Sequence, residues 1–238
     1  MRVGTSGWSY AHWHGVYYPA RLRPDDRLAY YAREFDTVEI NHSFYRLPVA
    51  ETFSRWCNAT PPGFVFAVKA SRYITHQKKL HKAHGAARLF LERAAHLKDK
   101  LGPVLFQLPP RWRCNTGRLQ AFVRRLPPGR RYAFEFRDAS WHRGEVCRLL
   151  QRYGMAFCVF DLAGRSAPFA VTADFVYLRL HGPGAAYCGR YGEQGLRPWA
   201  AFARQCLADG RDVYCYFDND ESAHAVADAR SLRALLRA

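Results

Sequence analysis

No two of the seven cysteines (57, 114, 147, 158, 188, 206 and 215) form a C-x-x-C pair, and their number is odd. A disulfide framework and a zinc ribbon are thereby excluded, and a reducing compartment is expected. No apolar run reaches the length of a signal-peptide core or a membrane span, so a cytoplasmic chain with no membrane partner is expected. Lysine is scarce: 6 of the 36 basic residues, the other 30 being arginine. There is no block of five or more Lys and Arg, and no RRM, KH or zinc-finger signature. No G-x-G-x-x-G opens a helix after the first apolar stretch, which removes a dinucleotide-binding sheet. No linker or low-complexity tract divides the 238 residues, so one domain over 1–238 is expected.

Charge of one sign is abundant. The formal net charge is +16, which concentrates anions near the surface and favours contact with nucleic acid. A general preference for arginine accounts for the same figure without any partner. An anionic small molecule and nucleic acid both remain open as ligands, and oligomeric state is not legible.

Eight stretches of strand length recur, at 3–8, 37–41, 64–70, 104–109, 132–137, 156–161, 175–182 and 212–219. Helical periodicity fills 25–36, 49–58, 82–101, 116–126, 141–153, 193–209 and 221–237. End signals are Asp25 or Asp26 as N-cap, Ser140 before Trp141, and Gly102-Pro103 and Gly154 as stops. Only 162–174 shows no helix. Strands alternating with helices imply parallel pairing, and a count of eight implies a single-domain (β/α)8 TIM-like barrel. The helix between strands six and seven is expected to be reduced or missing.

Strands buried on both faces should be apolar throughout. Here only one parity is. Val38 and Ile40 oppose Glu39 and Asn41, Phe66 and Val68 oppose Ala67 and Lys69, and Phe106 and Leu108 oppose Leu105 and Gln107. Further along, Phe134 and Phe136 oppose Glu135 and Arg137, Leu178 and Leu180 oppose Arg179 and His181, and Cys215 and Phe217 oppose Tyr216 and Asp218. The apolar set must face the helices. The polar set then points into the barrel at the C-terminal strand ends, where barrels build their sites. Glu39, Asn41, Lys69, Gln107, Glu135, Arg137, Arg179, His181 and Asp218, together with Asp161, are expected to converge. A self-satisfied ion-pair network would explain them too, but polar residues on one parity of six strands favour a ligand or catalytic pocket.

The same residues carry a family resemblance. GTSGWSY (4–10), Trp13, Gly15, Tyr17, Tyr18 and Pro19, TVEINHSFYRLP (37–48), FAVKASRYITH (66–76), LFQLPPRW (105–112), FEFRDASW (134–141), YLRLHG (177–182) and YFDND (216–220) span nearly the whole chain. Together they resemble the domain-of-unknown-function 72 family, also called YecE-like. The resemblance implies a TIM-like barrel and no particular reaction. Two positions depart from the family's pattern: Asp218 stands where Asn is expected, and Asp138 where His is common.

Several chemistries suit these residues. Glu39 and Glu135, on different strands, make a general acid–base pair. Lys69 is either a charge neutraliser for them, the favoured role, or a Schiff-base amine. His181 is a proton shuttle or a donor that holds a carboxylate, and Asp218 completes the catalytic set. The glycine-rich loop at 181–192, with Arg190 and Tyr191, suits a phosphate after strand seven. Trp8, Tyr45, Arg46, Arg72, His76, Trp141 and Asn219, with Asn41, Gln107, Arg137 and Arg179, are the expected binding residues, aromatics and arginines being suited to stack a sugar or base. A hard divalent cation could sit among Glu39, Glu135, Asp161, His181 and Asp218, but Arg and Lys compete for those oxygens and no H-x-H or H-E-x-x-H occurs. No cofactor is expected. The leading expectation is an enzyme acting on an anionic, phosphorylated or sugar-like, small molecule by carboxylate-assisted proton transfer or hydrolysis. A nucleic-acid-binding or nucleic-acid-processing protein and a non-catalytic metabolite-binding protein are the alternatives.

Overall fold

The computed structural model of the chain describes residues 1–237. Its eight parallel strands are β1 (Arg2–Thr5), β2 (Thr37–Ile40), β3 (Val65–Lys69), β4 (Leu101–Leu108), β5 (Tyr132–Phe136), β6 (Ala156–Leu162), β7 (Phe175–Leu180) and β8 (Asp212–Phe217). Around them lie α1 (Arg27–Tyr31), α2 (His42–Tyr45), α3 (Ala50–Asn58), α4 (His84–Ala94), α5 (Thr116–Val123), α6 (Gly144–Arg152), α7 (Gly192–Ala208) and α8 (His224–Arg237). Every strand pairs with its sequence neighbour from β2 round to β8, and β8 pairs with β1. This is the TIM-like barrel expected. As expected too, β6 and β7 are joined without a helix. An antiparallel arm at Arg165–Ser166 lies on β6, and Thr172 Oγ1 accepts from Phe157 N–H and donates to the Met155 carbonyl, 2.7 Å each.

The alternation of the strands sorts their side chains into two separate cores. Val38, Ile40, Phe66, Val68, Phe106, Phe134, Leu178, Leu180, Cys215 and Phe217 pack outward among the helices. Ala67, Leu105, Ala133, Ala156, Cys158, Phe175, Tyr177, Tyr214 and Tyr216 fill the barrel interior. Small residues on β3, β5 and β6 face large tyrosines on β7 and β8 across the interior.

The seam between β1 and β2 closes differently from the other seven. It has one parallel bridge, Ser6 with Glu39, and the Gly7 N–H donates to the Glu39 carbonyl at 2.8 Å. Below it the Tyr31 hydroxyl of α1 stands in for the missing ladder, accepting from Thr5 N–H at 2.9 Å and donating to the Thr37 carbonyl at 3.1 Å. Gly4 makes room for this, since a Cβ there would lie 2.3 Å from the Thr37 oxygen and 2.9 Å from the tyrosine hydroxyl.

Three end signals resolve differently. Gly102 and Pro103 do not stop a helix but lie inside β4, which begins at Leu101 after a tightly wound stretch, Ala95–Lys100. The β3–β4 register shifts between Phe66 and Val68, and such an irregularity tolerates a proline with no N–H to give. Ser140 does not start α6. Asp138 caps the turn Ala139–Trp141, accepting from Ser140 N–H, and α6 begins at Gly144. Neither Asp25 nor Asp26 caps α1 through its side chain, and that helix is five residues long. Among the described residues no helix is long and apolar enough to cross a membrane.

Replacing Tyr31 by Phe keeps the ring and strands two buried backbone groups. A loss of about 1–3 kcal/mol of stability is expected, measured by denaturant unfolding against wild type; an unchanged midpoint would show that the seam does not need the hydroxyl.

Candidate functional site

Above the apolar barrel floor, Arg179 of β7 is wholly buried and reaches three carboxylates from three other strands. Its Nη2 lies 2.7 Å from Glu39 Oε1 and 3.2 Å from Asp218 Oδ2, and its Nη1 lies 2.8 Å from Glu135 Oε2. Glu39 also accepts from the Ser6 hydroxyl and, at 2.6 Å, from Tyr177. Arg137 pairs with the other oxygen of Glu135. Burial works against ionisation of Glu135, but the Arg137 and Arg179 guanidiniums beside it hold its carboxyl well below the usual carboxylate range.

His181 has its protonation state fixed by its neighbours. Its Nε2 faces Arg137 Nη2 at 2.8 Å and Arg179 Nη1 at 3.3 Å. Guanidinium groups only donate, so Nε2 accepts. Nδ1 therefore carries the proton and donates to Asp218 Oδ2 at 2.9 Å. Burial and the two arginines push its pKa far below the ordinary value and keep it neutral. Asp218 is shifted upward by burial, which Arg179 and Lys69 only partly offset.

The interior charges balance: Lys69, Arg137 and Arg179 against Glu39, Glu135 and Asp218, all of them largely buried. The pairing is uneven, however. The two arginines satisfy Glu39, Glu135 and one oxygen of Asp218. Lys69, 8% exposed, has no carboxylate and no hydrogen-bond acceptor among the described residues, and its Nζ sits 4.3 Å from the centre of the Phe44 ring. Burial, with the positive field of Arg179, pushes its pKa down to about 8. Asp218 Oδ1 keeps only a 3.5 Å contact from Asn41. Charge neutralisation of Glu39 and Glu135, the role expected of Lys69, falls to Arg179, whose forked group reaches both, and to Arg137, which reaches Glu135.

Lys69, Asp218 and Asn41 form the floor of a cavity of about 820 Å³, a size suited to a small molecule. Its walls are Trp8, Tyr10, Tyr45, Trp56 and Tyr187, with Arg55, His42, Asp25 and Asp220 around the mouth. The cavity therefore opens over the β1–β2 seam and not over the centre of the barrel. Trp8 stands edge-on to Trp56 at 5.3 Å, and the Asp220 carbonyl is fixed by Trp13 Nε1 at 2.8 Å.

Of the expected binding residues, Trp8, Asn41 and Tyr45 line this cavity, and of the expected catalytic residues, Lys69 and Asp218. Glu39, Glu135, Arg137, Arg179 and His181 converge beneath and beside it as a closed network. Gln107, paired with Glu135 in register, is buried near them. His76 packs edge-on against Phe44 at 5.0 Å, its pKa lowered to about 4 by burial and by Lys69. Arg46 and Arg72 are exposed and do not line the cavity. Trp141 is not part of the site: it is fully buried, stacked on Phe136 at 4.9 Å, with its N–H on the Trp112 carbonyl. Asp161 also lies outside the cluster, because its parity in β6 turns it outward to Ser166 and Tyr191.

The loop at 181–192 is not the open phosphate cradle expected of it. Asp228 of α8, fully buried, accepts from the Tyr191 and Gly192 N–H groups at 2.9 and 3.3 Å and from Asn219 at 2.8 Å. Arg190 stands 3.7 Å from the same carboxylate. The Gly189 N–H faces Glu221 at 3.3 Å, and Tyr191 uses its hydroxyl to bridge Gly182 N–H and Asp161. The protein's own carboxylates fill the positions where an anion would sit. Gly182 serves the tight fold of the loop, at φ +115°, where a Cβ would lie 2.4 Å from two carbonyl oxygens. Among the described residues no three His, Cys, Asp or Glu side chains form a group that could hold a metal ion.

Ser6, His42, Arg55, Trp56, Tyr187 and Asp220 belong to the site without having been singled out as its residues. Ser6 continues the inward parity of β1 after Gly4, a signal muted by the lack of a charged residue in that strand. Arg55 and Trp56 sit on α3, and only the packing of that helix against the strand ends brings them to the mouth.

The chain matches the family model described as "Protein of unknown function DUF72" over residues 2–238. The UPF0759 protein YunF of Bacillus subtilis (strain 168) is 25% identical over 273 residues, covering 98% of this chain and 94% of that protein. The UPF0759 protein YecE of Escherichia coli (strain K12) is 32% identical over 155 residues, 63% of this chain and 53% of that protein. The crystal structure of the DUF72 family protein TM1631 from Thermotoga maritima MSB8 superposes with a TM-score of 0.89 at 27% identity, covering 100% of this chain and 99% of that one. The DUF72 family protein EF0366 from Enterococcus faecalis V583 shares the fold, with a TM-score of 0.85 at 20% identity over 100% and 95% of the two chains.

The unpartnered lysine has a measurable consequence. Its folded-state pKa of about 8 lies below the ordinary 10.5, so between those values the unfolded chain binds the extra proton and stability rises with pH. Below pH 8 the buried ammonium costs its full amount. A Lys69→Met chain is expected to be about 1–3 kcal/mol more stable than wild type at pH 7, with the gap closing as pH rises from 8 to 10.5. Denaturant melts at pH 7 and 10 test this, and a destabilised variant at pH 7 would contradict it.

Proposed function

The chain belongs to the DUF72 family, and from the chemistry of this chain's own cavity, where Asp218 stands at a position at which the family resemblance implies Asn, we propose that it is an enzyme acting on an anionic, sugar-like small molecule through proton transfer at Asp218. The observation that carries this is the uneven pairing of the interior charges. Lys69 and one oxygen of Asp218 are left unmatched on the floor of a cavity walled by Trp8, Tyr10, Tyr45 and Trp56. Flat aromatic faces suit the C–H surface of a sugar. Arg55, which lines the mouth and has no carboxylate partner among the described residues, suits a phosphate or carboxylate on the ligand, with His42 beside it.

Roles follow from position. Asp218, shifted upward by burial, gives and takes the proton. His181 donates to it from Nδ1 and holds its orientation. Lys69, the other unmatched group on the floor, faces the reacting part of the ligand. Glu39 and Glu135, wholly enclosed by their donors, hold Arg179 in place and do not reach the ligand. Nucleic acid fits the mouth less well: Asp25 and Asp220 stand among its cations, whereas a strand-end face that grips phosphodiesters wants a basic rim.

A panel of aldose and ketose phosphates, screened first by thermal shift and then for turnover, tests the assignment. Asp218→Asn should cost about 10²–10⁴ in turnover, with binding of the same compound kept within a few-fold. Turnover at the wild-type rate in that variant would reject Asp218 as the proton-transfer group.

A further inference from the structure

We propose that Lys69 is a carbonyl-capturing amine, which forms an imine with the open-chain aldehyde or ketone of the ligand. The proposal rests on the assignment of the cavity above and names the functional group recognised there. Its support is a comparison between two lysines in the same chain. Lys69 and Lys100 are both buried, 8% and 9% exposed. Lys100 donates to the Cys57 and Thr60 carbonyls at 2.6 Å each and to the Thr60 hydroxyl at 3.2 Å, the full complement of an ammonium. It is a structural clamp between α3 and the start of β4. Lys69 donates to none of the described residues. It lies against Phe44 and opens into a cavity with a carboxylate and an amide beside it. A buried ammonium without acceptors is costly, and an amine that can shed its proton in such a place is a nucleophile. Its pKa of about 8 agrees with that geometry.

The step closes on groups already present. The neutral amine attacks the carbonyl carbon, forming the C–N bond, and the carbonyl oxygen takes a proton from the acid form of Asp218. The resulting ammonium returns a proton to the Asp218 carboxylate. Protonation of the hydroxyl by the same group expels one water and leaves an iminium cation facing the carboxylate. Hydrolysis reverses each step and restores the amine, and no oxidant or reductant is needed. The iminium carries the positive charge that Lys69 carried as an ammonium, so the balance of three cations against three anions in the barrel is kept.

The experiment is reductive trapping. Wild-type protein is incubated at pH 7.5 with glyceraldehyde or glyceraldehyde 3-phosphate and sodium cyanoborohydride, then digested and mapped by mass. The expected product is a secondary amine at Lys69, formed about tenfold or more faster than at the exposed Lys78, Lys79 and Lys82, which do not line the cavity. The phosphate should trap faster than the neutral aldehyde if Arg55 holds the anion. Labelling of Lys69 at the rate of the surface lysines, or none, would overturn the proposal. Mapping the wild-type chain makes the result independent of how any variant folds. If calorimetry shows the aldehyde phosphate bound in the cavity and competing with a panel compound while Lys69 stays unlabelled, the imine alone is rejected and the cavity's assignment stands. If neither aldehyde binds and the panel gives no turnover, the assignment fails first.

Discussion

A single guanidinium organises this barrel. Arg179 takes carboxylates from β2, from β5 and from the end of β8, so strands on opposite sides of the axis are tied through one planar group. Arginine suits this because its five donors lie in fixed directions and it stays charged when dried. Removing it would leave Glu39 as an uncompensated charge and Glu135 with Arg137 alone, and breaking a buried pair in this way costs about 3–5 kcal/mol. Such a network is a weak source of net stability, since apolar packing fills the same volume as well. Its structural effect is to fix where every other interior charge must lie.

The cavity follows from that fixing together with the loosest seam of the barrel. The other seven seams are paired as parallel ladders, the one between β3 and β4 with a register shift. The eighth relies on a bridge at Ser6 and Glu39 and on the Tyr31 hydroxyl. Ser6 gives its hydroxyl to Glu39 and receives donors from Asn41 and Arg179, so the seam and the ion network share one residue. Directly above it the chain turns away through Gly7 and Trp8 on one side and Asn41 and His42 on the other. The strand ends there leave room that the Arg179 side of the barrel does not. The floor of that room collects the side chains which the arginines leave unmatched.

The architecture was legible because strand period and parity are local signals. Residues at alternate positions must face opposite ways, so the split between Val38 and Glu39, or between Leu178 and Arg179, fixed their sides without coordinates. Asp161 was misplaced against that rule, its acidity having drawn it into the cluster although its parity in β6 points outward. Pairing was less legible. That Arg179 and not Lys69 would neutralise the glutamates depends on reach and fork geometry, which a string of residues does not encode. Trp141 and the loop at 181–192 misled for a related reason. An aromatic or a glycine after a strand end is the same letter whether it meets a ligand or meets Trp112 and Asp228. Arg55 and Trp56 were invisible because helix packing, a long-range property, carries them to the mouth.

Asp228 carries the last step. Barrels of this class often hold a phosphate on backbone amides above strands seven and eight. Here a buried carboxylate from α8 occupies the amides of Tyr191 and Gly192 and ties Asn219 to them. The site that backbone dipoles would supply is spent on closing the barrel between its seventh loop and its last helix. An anionic ligand would then meet side-chain cations on the far side of the mouth, where Arg55 stands without a partner. Side chains on α3 can change without disturbing a strand, whereas amides at 191 and 192 cannot. The division of labour is therefore physical: backbone groups hold the fold at one edge of the barrel, and replaceable side chains line the cavity at the other.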